Sequence, residues 1–479
     1  MSLKQKTISN VKWSFVESMS LKAISFVLGI VLARLLLPSD FGLLAVVNVF
    51  YLLVTLFIDG GLKEALIQKK EATEVDYSSV FWTNIAISLF LYLILFSVAP
   101  YIERFYNYHN LGFYIRIQSL TLIIESFSIV QIAKATKELN LKKITKARVP
   151  ASLVSFVVGV YLAYQGFGIM SLIIQQLINT SLYTVILVFS VRYKPSFVFS
   201  KKSILSLYKF GVKILAIAIL SRFYAQSLNL IYAKFYTPQL LGLNNKSSTL
   251  QNTPIEILNT TFMKGVYPTY IALKDDINKL KDFFKFNIEL LNLLMILSNA
   301  VFFFMAEEII TMVLGEKWLG SVIYLKIIAV GSLFYPITIQ IQNIFKVRNR
   351  MNSYLTIELV NKGVSLFITI FFVKFLPFPT LLIVLLIINF LFALVYLRVT
   401  TTILNLNFFN IVGKFIFQIF IFGIIGYLLR YFVNQLEVKQ LFSTVIFSII
   451  YFCTWSFYIY HFNQKLYAIA KDFITKKNK

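Results

Sequence analysis

The feature that most limits how this chain can fold is a succession of apolar runs, each about as long as a bilayer is thick. A helix needs ~20 mainly apolar residues to cross the hydrocarbon, and such runs recur from end to end of the 479 residues. About fourteen spans are readable, with cores at 13–36, 41–60, 77–99, 113–133, 148–164, 168–190, 208–234, 240–262, 285–305, 318–343, 353–375, 379–398, 410–430 and 441–460. Only 14% of the residues are charged, against about 25% in a soluble domain. In lipid every backbone polar group must be satisfied within the protein, which leaves helices and closed barrels. The runs lack the period-two alternation of barrel strands. The expected fold is an all-α polytopic membrane protein.

The net charge of +25 would suggest nucleic acid in a soluble protein. Between membrane spans it sets topology instead, and nucleic acid is not an expected partner. With the N-terminus placed in the cytoplasm, loops on that side carry clusters such as Lys134, Lys137, Lys142, Lys143, Lys146 and Arg148. The opposite side holds mostly single charges, among them Arg34, Arg104, Lys234, Lys317 and Arg430. An even number of spans then puts both termini inside. The basic excess is also expected to attract anionic lipid headgroups. Lys4, Lys6 and Lys12 precede a first span that holds Glu17 and Lys22 and lacks a small-residue cleavage pattern, so it reads as an uncleaved span.

Several chemistries are not expected. The one cysteine, Cys453, has no partner for an intramolecular disulfide, and His109 and His461 belong to no metal-ligand pattern. There is no Gly-rich phosphate loop and no nucleophile with a suitably spaced base. An enzyme, a metal and a tightly bound cofactor are therefore not expected. Asp275 and Asp276 sit in a basic loop and read as a solvated helix start.

The chain also resembles itself at an offset of about two hundred residues. Ala33, Arg34, Pro38, Gly42 and Leu43 recur as Ala233, Lys234, Pro238, Gly242 and Leu243, and Lys22 recurs as Arg222. Six spans separate the matched segments, so both halves enter the membrane in the same direction. The repeat axis then runs along the membrane normal, and a substrate site is expected where repeats meet. The expected organisation is an N-lobe at 1–191, a cytoplasmic linker at 192–206, a C-lobe at 207–402, an accessory pair of spans at 403–461 and a basic interfacial tail at 462–479. Each lobe has six helices, related by the pseudo-two-fold axis.

Charges inside spans are the informative set, because each costs roughly 2.5–3.5 kcal/mol at a helix centre on insertion scales. They are Glu17, Lys22, Arg116 and Glu125 in the first lobe, and Lys213, Arg222, Lys246, Glu256, Glu289, Lys326, Glu358 and Lys362 in the second. Lys213 and Glu289 lie near span ends, where snorkelling suffices, and Glu358 with Lys362 has the spacing of a helix ion pair. Lys22, Arg116, Arg222 and Lys246 lack a well-spaced acid. Clustered cations of this kind suit an anionic ligand, phosphate above all. Arg34 and Lys234 would frame an outer mouth or anchor the helix ends at the interface. Glu17, Glu125 and Glu256 admit two roles: positioning the cations, or binding a coupling proton or sodium ion. Asn244, Asn245, Ser247, Ser248, Thr249, Gln251 and Asn252 mark the eighth span as cavity-lining, with hydroxyls and amides able to meet sugar or neighbouring helices. Pro254 is placed to kink that span.

Several local stretches resemble one family. They are Ala33-Arg34-Leu35-Leu36-Leu37-Pro38-Ser39-Asp40-Phe41-Gly42-Leu43, Asp59-Gly60-Gly61-Leu62, Ala65-Leu66-Ile67-Gln68, Val80-Phe81-Trp82-Thr83-Asn84 and Leu314-Gly315-Glu316-Lys317-Trp318. Together they resemble the Wzx/WzxC-like flippases of the multidrug/oligosaccharidyl-lipid/polysaccharide (MOP) superfamily, over nearly the whole chain. The resemblance implies two six-helix lobes with two extra helices around a cationic cavity. It also implies movement of undecaprenyl-diphosphate-linked oligosaccharide from the cytoplasmic to the outer leaflet of the bacterial cytoplasmic (inner) membrane by alternating access, coupled to an ion gradient (H+ or Na+). The product would feed O-antigen, capsule or exopolysaccharide synthesis, with a polysaccharide polymerase and export machinery as partners. One departure stands out: Lys246 replaces a small residue that relatives often carry. The rival readings are a peptidoglycan-precursor flippase, a multidrug exporter with an acidic cavity, and a polytopic glycan polymerase or transferase.

Overall fold

The computed structural model describes residues 3–59, 61–436 and 440–462, which are helical almost throughout, with no strand among them. The expected tail beyond 462 and the side chain of Lys213 lie outside the described residues. Eleven helices among the described residues are long and apolar enough to cross a membrane. The chain is an all-helical, multi-pass membrane protein, and it forms two compact units, Met1–Gly242 and Leu243–Lys479.

The first unit contains α1 (Leu3–Leu35), α2 (Pro38–Asp59), the short α3 (Leu62–Gln68), α4 (Glu74–Tyr106), α5 (Leu111–Lys137), α6 (Leu141–Tyr164), α7 (Ile169–Val191) and α8 (Lys201–Phe235). Local chemistry sets the breaks. The Thr73 hydroxyl accepts from the Asp76 N–H at 3.3 Å while the Asp76 carboxylate accepts from the Thr73 N–H at 2.9 Å, a reciprocal cap that starts α4. Asn107 ends it in the left-handed region at φ 57°. α4 packs along α5, α5 along α7, and α6 against α1 and α7. Ala133, Ala135, Ala147 and Ala151 are wholly buried in this packing. Small residues belong there because lipid is as apolar as leucine, so close approach, rather than hydrophobicity, holds membrane helices together.

The segment expected to link the lobes is strapped onto α4. Ser78 Oγ lies 3.0 Å from the Tyr193 hydroxyl and 2.9 Å from Ser196 Oγ. Trp82 Nε1 donates to the Ser196 carbonyl at 3.0 Å and its ring stacks on Phe197. Ser203 donates to Asp76. The end of this segment, from Lys201, is already the start of α8, which packs on α2, α3 and α4.

The internal repeat is visible as two matching elbows. α1 stops at Leu35 and α2 starts at Pro38; α8 stops at Phe235 and α9 (Pro238–Ala272) starts at Pro238. Ala33 and Ala233 are both buried, and Arg34 and Lys234 are both exposed. The elbows touch reciprocally. A Cβ on Gly42 would fall on the Pro238 carbonyl, and a Cβ on Gly242 would fall on the Pro38 carbonyl. Equivalent atoms meet in both directions, which is a local two-fold relation.

The second unit takes in most of α9, then α10 (Ile277–Phe304), α11 (Ala306–Val313), a 3-10 turn (Glu316–Trp318), α12 (Ser321–Ser332), α13 (Tyr335–Val347), α14 (Met351–Phe372), α15 (Phe378–Ile403), α16 (Phe408–Gln435) and α17 (Gln440–Phe462). Asp276 caps α10, accepting from the Asn278 and Lys279 N–H groups at 3.1 Å, so the acidic pair is a helix start as expected. Gly315 sits at φ 98°, ψ 167°, a conformation open essentially to glycine alone, and the turn that follows buries Trp318 completely.

The expected spans at 208–234 and 240–262 fall in α8 and α9, which are not among the eleven, and a further expected span is divided. Residues 318–343 are two helices, α12 and α13, parted at Leu333 and Phe334. Pro336 has no N–H to donate and fits only the first turn of a helix, so a new helix starts where the apolar pattern alone suggests continuity. α9, in contrast, remains helical through Pro254.

Candidate functional site

The sequence-selected cations fall into different surroundings. Lys22 on α1 is half-buried and Arg222 on α8 is exposed, and neither has a hydrogen bond or ion pair among the described residues. Arg116 is engaged with α4: its Nε donates to the Phe96 carbonyl at 3.0 Å and its guanidinium lies 4.2 Å from the Phe96 ring centroid. Lys234 donates to the Phe105 carbonyl and lies over the Phe105 ring, while Arg34 is exposed. Lys246 on α9 is buried in the second unit. Lys326 is 5.9 Å from the Phe303 ring centroid.

The acids are more committed. Glu17 pairs with Arg148 at 3.0 Å and accepts from Thr145 at 3.2 Å, tying α1 to α6. Its side chain is thus spent on a partner 131 residues away, and Lys22 gains nothing from it. Arg148, which the loop pattern groups with topogenic charges, is a structural residue of α6 that also lies over the Tyr183 ring. Glu125 on α5 accepts from the Tyr51 hydroxyl of α2 at 2.8 Å. Glu289 pairs with Lys414 at 2.5 Å. Glu358 and Lys362 form the anticipated ion pair at 3.0 Å.

A cavity of about 760 Å³ opens in the second unit among α9, α12, α13, α14 and α15. Asn244, Ser248, Asn252 and Glu256 line one side; residues four apart on a helix share a face, so the stripe follows from the α9 sequence. Tyr354, Glu358 and Asn361 come from α14, and Asn389 and Tyr396 from α15. The wall is braced across helices. The Tyr396 hydroxyl donates to Glu358 at 2.6 Å, and Asn361 Nδ2 donates to Asn389 Oδ1 at 3.3 Å. Phe334, Phe390 and Tyr335 add flat apolar surface.

No lysine or arginine lines this cavity among the described residues. Its polar groups are amides, hydroxyls and two carboxylates, an array that exchanges hydrogen bonds with a hydroxyl-rich ligand while ring faces pack on its C–H surfaces. Of the polar run expected to line the cavity, Asn244, Ser248 and Asn252 do, with Glu256 beyond them, whereas Asn245, Ser247, Thr249 and Gln251 do not: Ser247 donates to the Ser321 carbonyl and Gln251 to Asn299. The sequence reading missed Asn361, Asn389, Tyr354 and Tyr396. The available signal was an asparagine within each of two apolar runs, since an amide facing lipid is costly.

Comparison with known proteins adds a family. Residues 31–323 match the family model described as "Polysaccharide biosynthesis protein". The chain is 26% identical over 362 residues to the lipopolysaccharide biosynthesis protein WzxC of Escherichia coli (strain K12), covering 74% of this chain and 72% of the relative. It is 26% identical over 357 residues to an uncharacterized membrane protein in the cps region of Klebsiella pneumoniae, covering 73% of each. Among solved structures, the inward closed conformation of the lipid II flippase MurJ superposes with a TM-score of 0.70 at 13% identity, over 94% of this chain and 99% of that one. That likeness carries the fold alone: the all-helical membrane fold that the flippase has.

Proposed function

The chain belongs to the polysaccharide biosynthesis protein family, and from that membership we propose that it flips undecaprenyl-diphosphate-linked oligosaccharide from the cytoplasmic to the outer leaflet of a bacterial cytoplasmic membrane, for assembly of a surface polysaccharide. The observation that carries the reading is the amide- and hydroxyl-lined cavity of about 760 Å³, two of whose walls, α14 and α15, are long and apolar enough to cross a membrane. A glycan cannot cross hydrocarbon without its hydroxyls being paired, and this cavity offers partners without fixed positive charge. The diphosphate needs the opposite, and we assign it to Lys22 and Arg222 of the first unit, which have no partner among the described residues, with Arg116 as an accessory cation. The polyprenyl tail can remain in lipid throughout.

Alternating access coupled to a proton or sodium gradient completes the proposal, with both termini in the cytoplasm and a polymerase and export machinery downstream. Glu17 and Glu125 already hold Arg148 and Tyr51. Glu256 lines the cavity, which makes it the coupling candidate of the three. The test is deletion of the gene, followed by analysis of surface glycan and of lipid-linked intermediates. Loss of one polymer with accumulation of its lipid-linked precursor is the expected result; lysis without a glycan defect would point to the peptidoglycan precursor.

One observation favours a second reading. The cavity presents Glu256 and Glu358 and no lining cation among the described residues, as an exporter of cationic compounds would require. Glu358 is neutralised by Lys362, which weakens that case. Unchanged susceptibility of the deletion strain to cationic dyes would remove it.

A further inference from the structure

A second pocket of about 390 Å³ lies in the second unit between α10 and the start of α16, in a place that neither the repeat nor the proposed transport path calls on. Lys285 from α10 and Lys414 from α16 are both exposed and both line it. Lys414 is paired with Glu289 at 2.5 Å, so the pocket keeps one net positive charge, held by Lys285. The N-terminus of α16, a helix of 28 residues, opens onto the same space: its capping residue Asn407 lines the pocket and accepts from the Asn410 N–H at 3.2 Å. A helix N-terminus adds roughly half a positive charge.

Deeper in, Asn292 and Gln418 line the same pocket. They are only 3% and 1% exposed, and Asn292 Oδ1 and Gln418 Nε2 have no hydrogen-bond partner. Amides buried this far are ordinarily satisfied, because a buried polar group without a partner loses its hydration and gains nothing in return. Two of them at the floor of a basic pocket mark a place where a polar ligand completes the hydrogen bonding.

We propose that this pocket binds a phosphate group, as the headgroup of an anionic lipid or as a free phosphate. Lys285 and the α16 N-terminus attract the charge, Gln418 Nε2 donates to a phosphate oxygen, and Asn292 Oδ1 accepts from a hydroxyl of the headgroup or of a protonated phosphate. The lipid source fits the position, since loop charge assigns the Lys285 and Lys414 end of these helices to the cytoplasmic face, where anionic headgroups concentrate. Such a site would fix the resting position of α16 against α10.

The experiment uses the full-length protein, delipidated in detergent and exposed to vesicles of equal parts phosphatidylglycerol and phosphatidylcholine. Native mass spectrometry then counts retained lipid. In parallel, inorganic phosphate is titrated while the thermal unfolding midpoint is followed. If a lipid is the source, the wild type retains phosphatidylglycerol preferentially, Lys285→Ala lowers that preference about fivefold, Gln418→Leu lowers it as well, and Lys285→Arg restores it. If free phosphate is the source, phosphate raises the midpoint in the wild type but not in Lys285→Ala, and lipid retention is equal in both. Lys285 is exposed, so its variant tests the site without disturbing the core. Retention and phosphate response that both ignore Lys285 and Gln418 would overturn the proposal.

Discussion

α2 and α9 both begin at a proline, carry a buried glycine four residues on, and follow a helix that ends in an exposed basic residue. Beyond the glycine they part. Where α9 has Asn244, Ser248, Asn252 and Glu256, the matching positions of α2 are Leu44, Asn48, Leu52 and Leu56. α2 packs its apolar length on α5 and α8, and Phe50, Val54 and Ile58 join a core with Leu95, Leu122 and Ile129. α9 turns its stripe to a polar cavity. One elbow geometry thus serves two chemistries. The elbow is fixed by backbone contact between Gly42, Gly242 and two proline carbonyls, which forbids side chains. The face beyond it is free to diverge, because nothing at the elbow depends on it.

The comparison can be broken at several points. The largest effect is expected at the cations: Lys22→Ala or Arg222→Ala should abolish glycan export while the protein accumulates normally in the membrane. Wild-type surface glycan from either variant would take the anion role away from the first unit and leave the cavity of the second to act alone. Next come the elbows. Gly42→Leu and Gly242→Leu each force side-chain atoms onto a carbonyl and should each destabilise by about 1–3 kcal/mol, read as a lower unfolding midpoint in detergent. The double variant should lose less than the sum, since the two contacts lie at one crossing; strict additivity would mean that the elbows are independent.

Smaller and more specific is Asn252→Leu, which gives α9 the residue that α2 carries at Leu52. It should lower export about tenfold, the value of one hydrogen bond to substrate, with the unfolding midpoint unchanged. Equal export would show that the α9 stripe supports helices rather than glycan. The smallest effect is a control of opposite sign. A Cβ on Gly413 of α16 meets nothing within 4 Å, so Gly413→Ala should leave export intact and stabilise by up to about 1 kcal/mol.

Legibility followed the distance between interacting groups along the chain. The Glu358–Lys362 pair and the cap at Asp276 lie within one helical turn, and local spacing revealed both. The polar run of α9 was visible because it lies within one helix, but which of its residues face the cavity was not: Ser247 and Gln251 turn to Ser321 and Asn299 instead. The Glu17–Arg148 pair joins residues 131 apart, Tyr51–Glu125 joins residues 74 apart and Tyr396–Glu358 joins residues 38 apart. Nothing in the spacing of any one helix identifies such partners. Spacing along the chain therefore leaves Glu17 without a partner and groups Arg148 with the loop charges.

The amino-acid sequence by itself determined the all-helical, membrane-spanning class, most span positions, the two elbows at Pro38 and Pro238, and the polar run of α9. These follow from backbone hydrogen bonding in lipid and from helical periodicity, both of which act over a few residues. Only the tertiary structure decided that α12 and α13 part at Leu333 and Phe334, that Gly42 and Gly242 meet through each other's proline carbonyls, and that Asn361 and Asn389 close the cavity across α14 and α15. In a bilayer, helix pairing is chosen by close packing and interhelical hydrogen bonds rather than by hydrophobicity, and those depend on which helices meet and at what rotation.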